Sequence, residues 1–185
     1  LKLRKLDPAY KVFYEDGTNL LITSDINKDA ATFEAIEKGS GELLKSYVDK
    51  GSKIYKSSLD NFLYTNFNSP RDFLKSDVIK DSTKMLKLAF TPLDRFVSKF
   101  VADLKLKQIL EYPMVFLGAS PFKAPAIYSL MSALDFKEGV FYPEGGMYKI
   151  IESMVDISKK LGVRYHLKSE IKSINIEDGL AKGIK

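Results

Sequence analysis

Hydrophobic residues fall into a few distinct rhythms along the chain, and each rhythm predicts an element. Residues 10–14 and 19–23 are short runs rich in aromatic, β-branched or apolar side chains, separated by Glu15-Asp16-Gly17, where glycine accepts the positive φ of a tight loop. An antiparallel hairpin is predicted there. After Ser24-Asp25, Ala30, Phe33 and Ile36 take helical spacing within residues 29–38, with Gly39 available as a stop. From residue 42 to 64, Leu44, Tyr47, Val48, Ile54, Tyr55, Leu59, Phe62 and Leu63 recur every three to four positions, which predicts a long amphipathic helix. Ser69-Pro70 starts a turn or short helix through Phe73, and Asp81 or Ser82 can cap a helix carrying Met85, Leu86, Leu88 and Ala89.

Thr91-Pro92 restarts the helical pattern, with threonine as the expected N-cap and proline at the first helical position. Leu93, Phe96, Val97, Phe100, Val101 and Leu104 then form one apolar stripe opposite Asp94, Arg95, Lys99 and Asp103. Such a stripe fits a core face, a partner groove or a helix lying in a membrane interface, the core face being the stronger reading. Leu106, Ile109 and Leu110 continue the helix until Pro113, and the wholly apolar residues 114–117 are expected to be buried. Residues 126–136 read as a helix and 139–142 as a short strand. Glu144-Gly145-Gly146 is a tight turn feeding a helix over residues 147–161 that Gly162 closes. Val163, Tyr165 and Leu167 alternate with polar residues and predict a half-buried strand; Ile171, Ile174 and Ile176 predict another before Asp178-Gly179 turns the chain.

Composition narrows the chemistry. In 185 residues, 45% hydrophobic, the chain can bury a compact core. The formal charge of +5 comes from scattered rather than clustered lysines and arginines, which suits solubility better than a nucleic-acid groove. Zero cysteines exclude disulfides, thiolate nucleophiles and cysteine-ligated metals, leaving a cytoplasmic location as the default expectation. His166 is the only histidine, so the chain builds no two-histidine metal site; it falls in register with the polar side of its predicted strand and receives no role. No apolar run is long enough to span a bilayer. Leu1 is not an initiator methionine and the last strand has barely begun at Lys185, so both ends are expected to be cut from a longer polypeptide.

Gly39-Ser40-Gly41 resembles the start of a dinucleotide fingerprint, but leucine stands at the third small position and no strand precedes it; a helix-to-helix connection is expected instead. Asp16, Asp72, Asp94 and Asp103 lie near turns or on polar helix faces, where carboxylates cap or solvate. No catalytic residue is assigned.

Three stretches carry a family resemblance. Leu6-Asp7-Pro8-Ala9-Tyr10-Lys11-Val12-Phe13-Tyr14-Glu15-Asp16-Gly17 matches a hairpin entry. Phe116-Leu117-Gly118-Ala119-Ser120-Pro121-Phe122-Lys123-Ala124-Pro125-Ala126-Ile127-Tyr128-Ser129-Leu130 is similar to an F-L-G-G-x-P-x-x-A-P-A-x-Y-x-L segment, with Ala119 for a glycine. Gly139-Val140-Phe141-Tyr142-Pro143-Glu144-Gly145-Gly146-Met147 is similar to G-V-W-Y-P-x-G-G-M, with Phe141 for tryptophan. In this order and spacing they resemble the phytoene desaturase family of FAD-dependent, amine-oxidase-like flavoproteins.

The resemblance implies an α+β fold: a helix-rich substrate-binding domain with an antiparallel hairpin over residues 1–138, then a strand-helix-strand portion of an FAD domain over 139–185. It implies FAD in the full-length parent, facing Tyr142, Pro143, Gly145, Gly146 and Met147. It also implies a long apolar isoprenoid substrate against Phe116, Leu117, Gly118, Pro121 and Tyr128. The isolated chain is expected to be inactive without the missing FAD domain, no metal is implied, and peripheral contact with a membrane is an added expectation. Alternatives left open are a non-enzymatic lipid- or membrane-binding module of the same fold and a saturase, isomerase or oxidase of related polyprenoids.

Overall fold

The computed structural model describes residues 1–59 and 85–185. The expected turn at Ser69-Pro70, the caps at Asp81 or Ser82, Asp72 and the end of the long predicted helix lie outside the described residues. The elements are β1 (Leu3–Lys5), β2 (Tyr10–Phe13), β3 (Asn19–Ile22), α1 (Ile26–Ile36), α2 (Ser40–Ser58), α3 (Leu93–Val97), α4 (Leu104–Glu111), α5 (Met114–Leu117), a 3-10 turn (Ala126–Tyr128), α6 (Ser129–Glu138), β4 (Phe141–Pro143), α7 (Tyr148–Lys160), β5 (Ile174–Glu177) and β6 (Leu180–Ile184). Residues 85–89 are also helical. The architecture is thus mixed, with helices and two-stranded sheets. The chain divides into two compact units, Arg4–Tyr142 and Leu1–Leu3 with Pro143–Lys185.

In Arg4–Tyr142 the predicted hairpin forms with Tyr10 opposite Ile22 and Phe13 opposite Asn19. Its loop holds because Gly17 takes φ 79° and Asp16 Oδ1 accepts from the Thr18 amide at 3.0 Å. Helix α1 begins three residues earlier than its apolar spacing suggests, because Asp25 caps it by accepting from the Asn27 amide at 2.9 Å. Asp29 is instead buried and accepts from both the amide and the hydroxyl of Thr23, at 2.9 and 3.0 Å.

The glycines that imitate a nucleotide fingerprint serve the α1–α2 corner. Gly39 takes φ 89°, and the Glu34 carboxylate accepts from the amides of Gly39 and Gly41, at 2.9 and 3.2 Å. A Cβ on Gly41 would lie 2.7 Å from the Ala30 carbonyl oxygen, so no side chain fits there. Helix α2 then crosses α6 so closely that a Cβ on Gly51 would overlap the Ala133 methyl group.

Leu93, Val97, Phe100 and Val101 are fully or almost fully buried against Phe33, Leu44, Tyr47, Leu106, Ile109 and Leu110. The stripe therefore belongs to the core at these four positions, while Leu104 is exposed. It is not one helix: α3 ends at Val97 and α4 starts anew at Leu104. There Asp103 accepts from the amides of Lys105 and Leu106 at 2.8 and 3.2 Å. Thr91 does not cap α3; its hydroxyl donates to the Lys87 carbonyl at 2.7 Å, and Pro92 occupies the cap position. The Pro92 and Pro125 segments pair instead, through Leu93 N–H to Ala124 O at 2.8 Å and Ala126 N–H to Thr91 O at 2.7 Å.

In the unit of Leu1–Leu3 with Pro143–Lys185, the predicted helix spans Tyr148–Lys160 and ends with Gly162 at φ 87°. The hairpin of β5 and β6 turns at Asp178-Gly179, both at positive φ. The strand expected at Val163–Leu167 is absent: these residues are irregular and exposed. Alternating polarity specifies a strand only where another strand is at hand to take its hydrogen bonds, and none among the described residues does so. No residue of α7 is buried, although Ile151, Met154 and Ile157 share one apolar stripe.

Candidate functional site

An open cleft of about 750 Å³ lies within the Arg4–Tyr142 unit. One wall is the hairpin from Val12 to Asp16; the other is α4 and α5, closed at one end by Gly118, Ala119 and Pro121. Lys105 joins the walls. Its Nζ lies 2.5 Å from Asp16 Oδ2 and 2.6 Å from Thr18 Oγ1, and its carbonyl accepts from the Tyr14 hydroxyl at 3.1 Å. The ammonium partner holds the Asp16 carboxyl well below the usual carboxylate range.

Most of the wall is apolar, with Val12, Phe13, Tyr112, Met114 and Val115 facing it. Glu111 is the exception: it is buried in that wall, and its Oε1 has no hydrogen-bond partner among the described residues. Burial pushes its pKa up to about 7, and the neighbouring Asp94 carboxylate, which hydrogen-bonds the protonated form, adds to the rise. Lys107, 3.3 Å from Asp94 Oδ1, opposes it. Beneath the cleft, Tyr112 stacks on Tyr10 with ring centroids 4.8 Å apart. Burial also raises the pKa of Asp135 on α6 to about 6.

The residues expected to meet a substrate are divided by the structure. Gly118 and Pro121 line the cleft. Phe116 does not, but packs edge-on against Tyr112 at 5.2 Å, one ring away from the wall. Leu117 stands exposed beside it. The expected burial of residues 114–117 holds only for Met114, because α5 is a single turn, ended by Gly118 at φ 58°, and one turn can present only one side to a core. Tyr128 lines a second apolar cavity of about 600 Å³, with Tyr55, Ile127 and Met131.

The residues expected to face a cofactor form a continuous bend. Gly146 N–H donates to Pro143 O at 3.0 Å, and Gly145 and Gly146 take φ 88° and 97°. Pro143 is buried, while Tyr142 and Met147 on either side are exposed. Bare backbone flanked by exposed apolar side chains fits contact with the face of a flat ring system. None of the five lines a cavity described above. Among the described residues no cluster of acidic and histidine side chains could hold a metal ion, and no described helix is long and apolar enough to cross a membrane.

Glu111 and Asp135 were not singled out by sequence reasoning. The available signal is a carboxylate at the core-facing edge of an amphipathic helix: Glu111 directly follows Ile109-Leu110, and Asp135 sits between Leu134 and Phe136. Such positions predict a perturbed acid wherever burial follows.

A mixed fold of helices and small sheets is what the three sequence stretches imply, and the family model for flavin-containing amine oxidoreductases matches residues 1–182. The chain belongs to that family. It is 35% identical, over 94% of its length, to a carotenoid 3,4-desaturase of Haloarcula japonica, of which it covers 35%. A phytoene desaturase of Fusarium fujikuroi is 28% identical over 98% of this chain and 32% of its own length. A zeta-carotene-forming phytoene desaturase of Myxococcus xanthus is 27% identical over 100% of this chain and 35% of its own. The chain thus spans about a third of the length of the curated relatives it matches.

Proposed function

We propose that the chain is the substrate-binding portion of an FAD-dependent oxidoreductase that desaturates a long isoprenoid hydrocarbon such as phytoene. The observation that carries this is the apolar cleft, because the Gly118–Pro121 stretch that resembles the desaturase motif forms one of its ends. A polyene offers almost nothing to hydrogen-bond, so its recognition rests on buried apolar area, worth about 25 cal/mol per Å². Val12, Phe13 and Val115 supply such area, and the exposed Phe116 and Leu117 extend it beyond the cleft. Tyr142, Pro143, Gly145, Gly146 and Met147 would lie against the flavin, their bare bend allowing close approach of backbone. The bound flavin would accept the hydride equivalent taken from a saturated carbon. The names of the relatives agree with this substrate class.

A second element of the proposal is peripheral contact with a membrane at the cleft mouth. Phe13, Leu104 and Val115 line the cleft yet are 73%, 67% and 75% exposed, and Lys11 and Lys105 stand beside them. Apolar side chains edged by lysines suit an anionic headgroup boundary, from which an insoluble substrate would enter.

The deciding experiment incubates the complete polypeptide with FAD and phytoene and separates the pigments by chromatography. Products with additional conjugated double bonds are expected. A flavin-loaded protein that leaves phytoene, and longer or more desaturated relatives of it, unchanged would remove the proposal.

A further inference from the structure

The two walls of the cleft run in opposite directions along their shared length. Tyr112, just past α4, stacks on Tyr10 at the start of β2, and Lys105, near the start of α4, meets the hairpin loop at the other end. Two side chains cross there, one from each wall. The Lys105 ammonium bonds Asp16 Oδ2 and Thr18 Oγ1 and lies 5.1 Å from the centre of the Tyr14 ring, while the Tyr14 hydroxyl donates to the Lys105 carbonyl. An exposed ion pair alone contributes little, but an ammonium held by two bonds and a ring face keeps one position. Tyr14, Asp16 and Lys105 all line the cleft, so the crossing stands in its path rather than behind its wall. The Lys105 side chain keeps 31% of its surface exposed, within reach of a ligand lying in the cleft.

We propose that Lys105 is a specificity-determining residue: its side chain bars the hairpin end of the cleft, which admits the slender end of an acyclic chain and turns away an end group as broad as a ring. This rests on the reading of the cleft as a binding site for a long isoprenoid. Phe13 and Val115 attract either kind of ligand, because apolar burial is not directional. Discrimination therefore has to come from a clash, and a clash requires an obstacle that does not yield. A lysine with no partner would swing aside easily. Lys105 would first have to give up Asp16 and Thr18, and its ammonium would then lie against an apolar ring instead of them.

Geranylgeraniol and retinol test this, since both are alcohols of the same carbon number and only retinol ends in a ring. In equilibrium dialysis against the complete polypeptide, geranylgeraniol should bind about tenfold more tightly than retinol. In Lys105→Ala that preference should fall several-fold through tighter binding of retinol, a gain that loss of folded structure does not produce. Asp16→Asn keeps an oxygen for the turn bond to the Thr18 amide but loses the charge, and should shift the preference the same way. Lys105→Arg should retain the preference, because a guanidinium can donate to the same acceptors. Equal binding of the two alcohols by the unaltered protein overturns the proposal. So does a preference unchanged in Lys105→Ala, or one that falls there only because geranylgeraniol binds less well. Failure of both alcohols to bind removes the apolar-cleft reading itself, and this inference with it.

Discussion

Glu111 and Asp135 take up protons more readily in the folded chain than in the unfolded one, and the sign of that difference sets how stability responds to pH. Folding raises Glu111 from 4.5 to about 7 and Asp135 from 3.8 to about 6, burial being the main cause in both. The stabilisation is full below the unfolded values and is lost as pH climbs to the folded ones, so melting temperature should fall between about pH 4 and pH 7. At about 1.4 kcal/mol per pKa unit, the loss is on the order of 3 kcal/mol for each group. Thermal melts of Glu111→Gln/Asp135→Asn should show a clearly smaller fall than the parent over the same interval. An equal fall in both would mean that neither acid is neutral in the folded chain. That these carboxyls are perturbed was not legible in the sequence, because helical spacing places Glu111 and Asp135 at the edge of an apolar face without saying how deep the edge lies. The local bonds of the capping carboxylates were legible, since Asp16 and Asp103 bond to amides within three residues, whereas the Asp16–Lys105 pair was not.

Elements that carry their own start and stop signals follow the sequence closely. The β2–β3 hairpin has Asp16 and Gly17 in its loop, and α7 has Gly162 at its end. Those that depend on a neighbour do not: α5 is too short to bury four residues, and Val163–Leu167 lacks a strand to join. Packing between elements was likewise hidden. The rhythm of residues 42–64 predicts α2 but carries no sign that α6 crosses at Gly51. Gly51→Ala tests this, since alanine improves helix propensity by about 1 kcal/mol while its methyl group would collide with Ala133. Overpacking of this kind typically costs about 1–3 kcal/mol, so the variant should be no more stable than the parent, and by urea unfolding about 1 kcal/mol less stable. Gly51→Ala/Ala133→Gly should recover part of that loss.

For the molecule as a whole, the proposed membrane contact makes a prediction of its own. The chain should sediment with vesicles of phosphatidylserine and phosphatidylcholine at low salt, and Phe13→Ser/Val115→Ser should reduce the bound fraction several-fold, because both side chains stand exposed at the cleft mouth. No sedimentation of the parent chain would rule the contact out. The mixed helix and hairpin architecture could be foreseen from periodicity and turn residues, whereas the cleft could not, since its walls are remote in sequence. Lys105 reaches across 89 positions to Asp16. Neither wall encloses anything alone, so the binding surface has no precursor in a nascent chain that has not yet delivered α4. Until synthesis passes Glu111, the cleft side of the hairpin has no opposite wall to face.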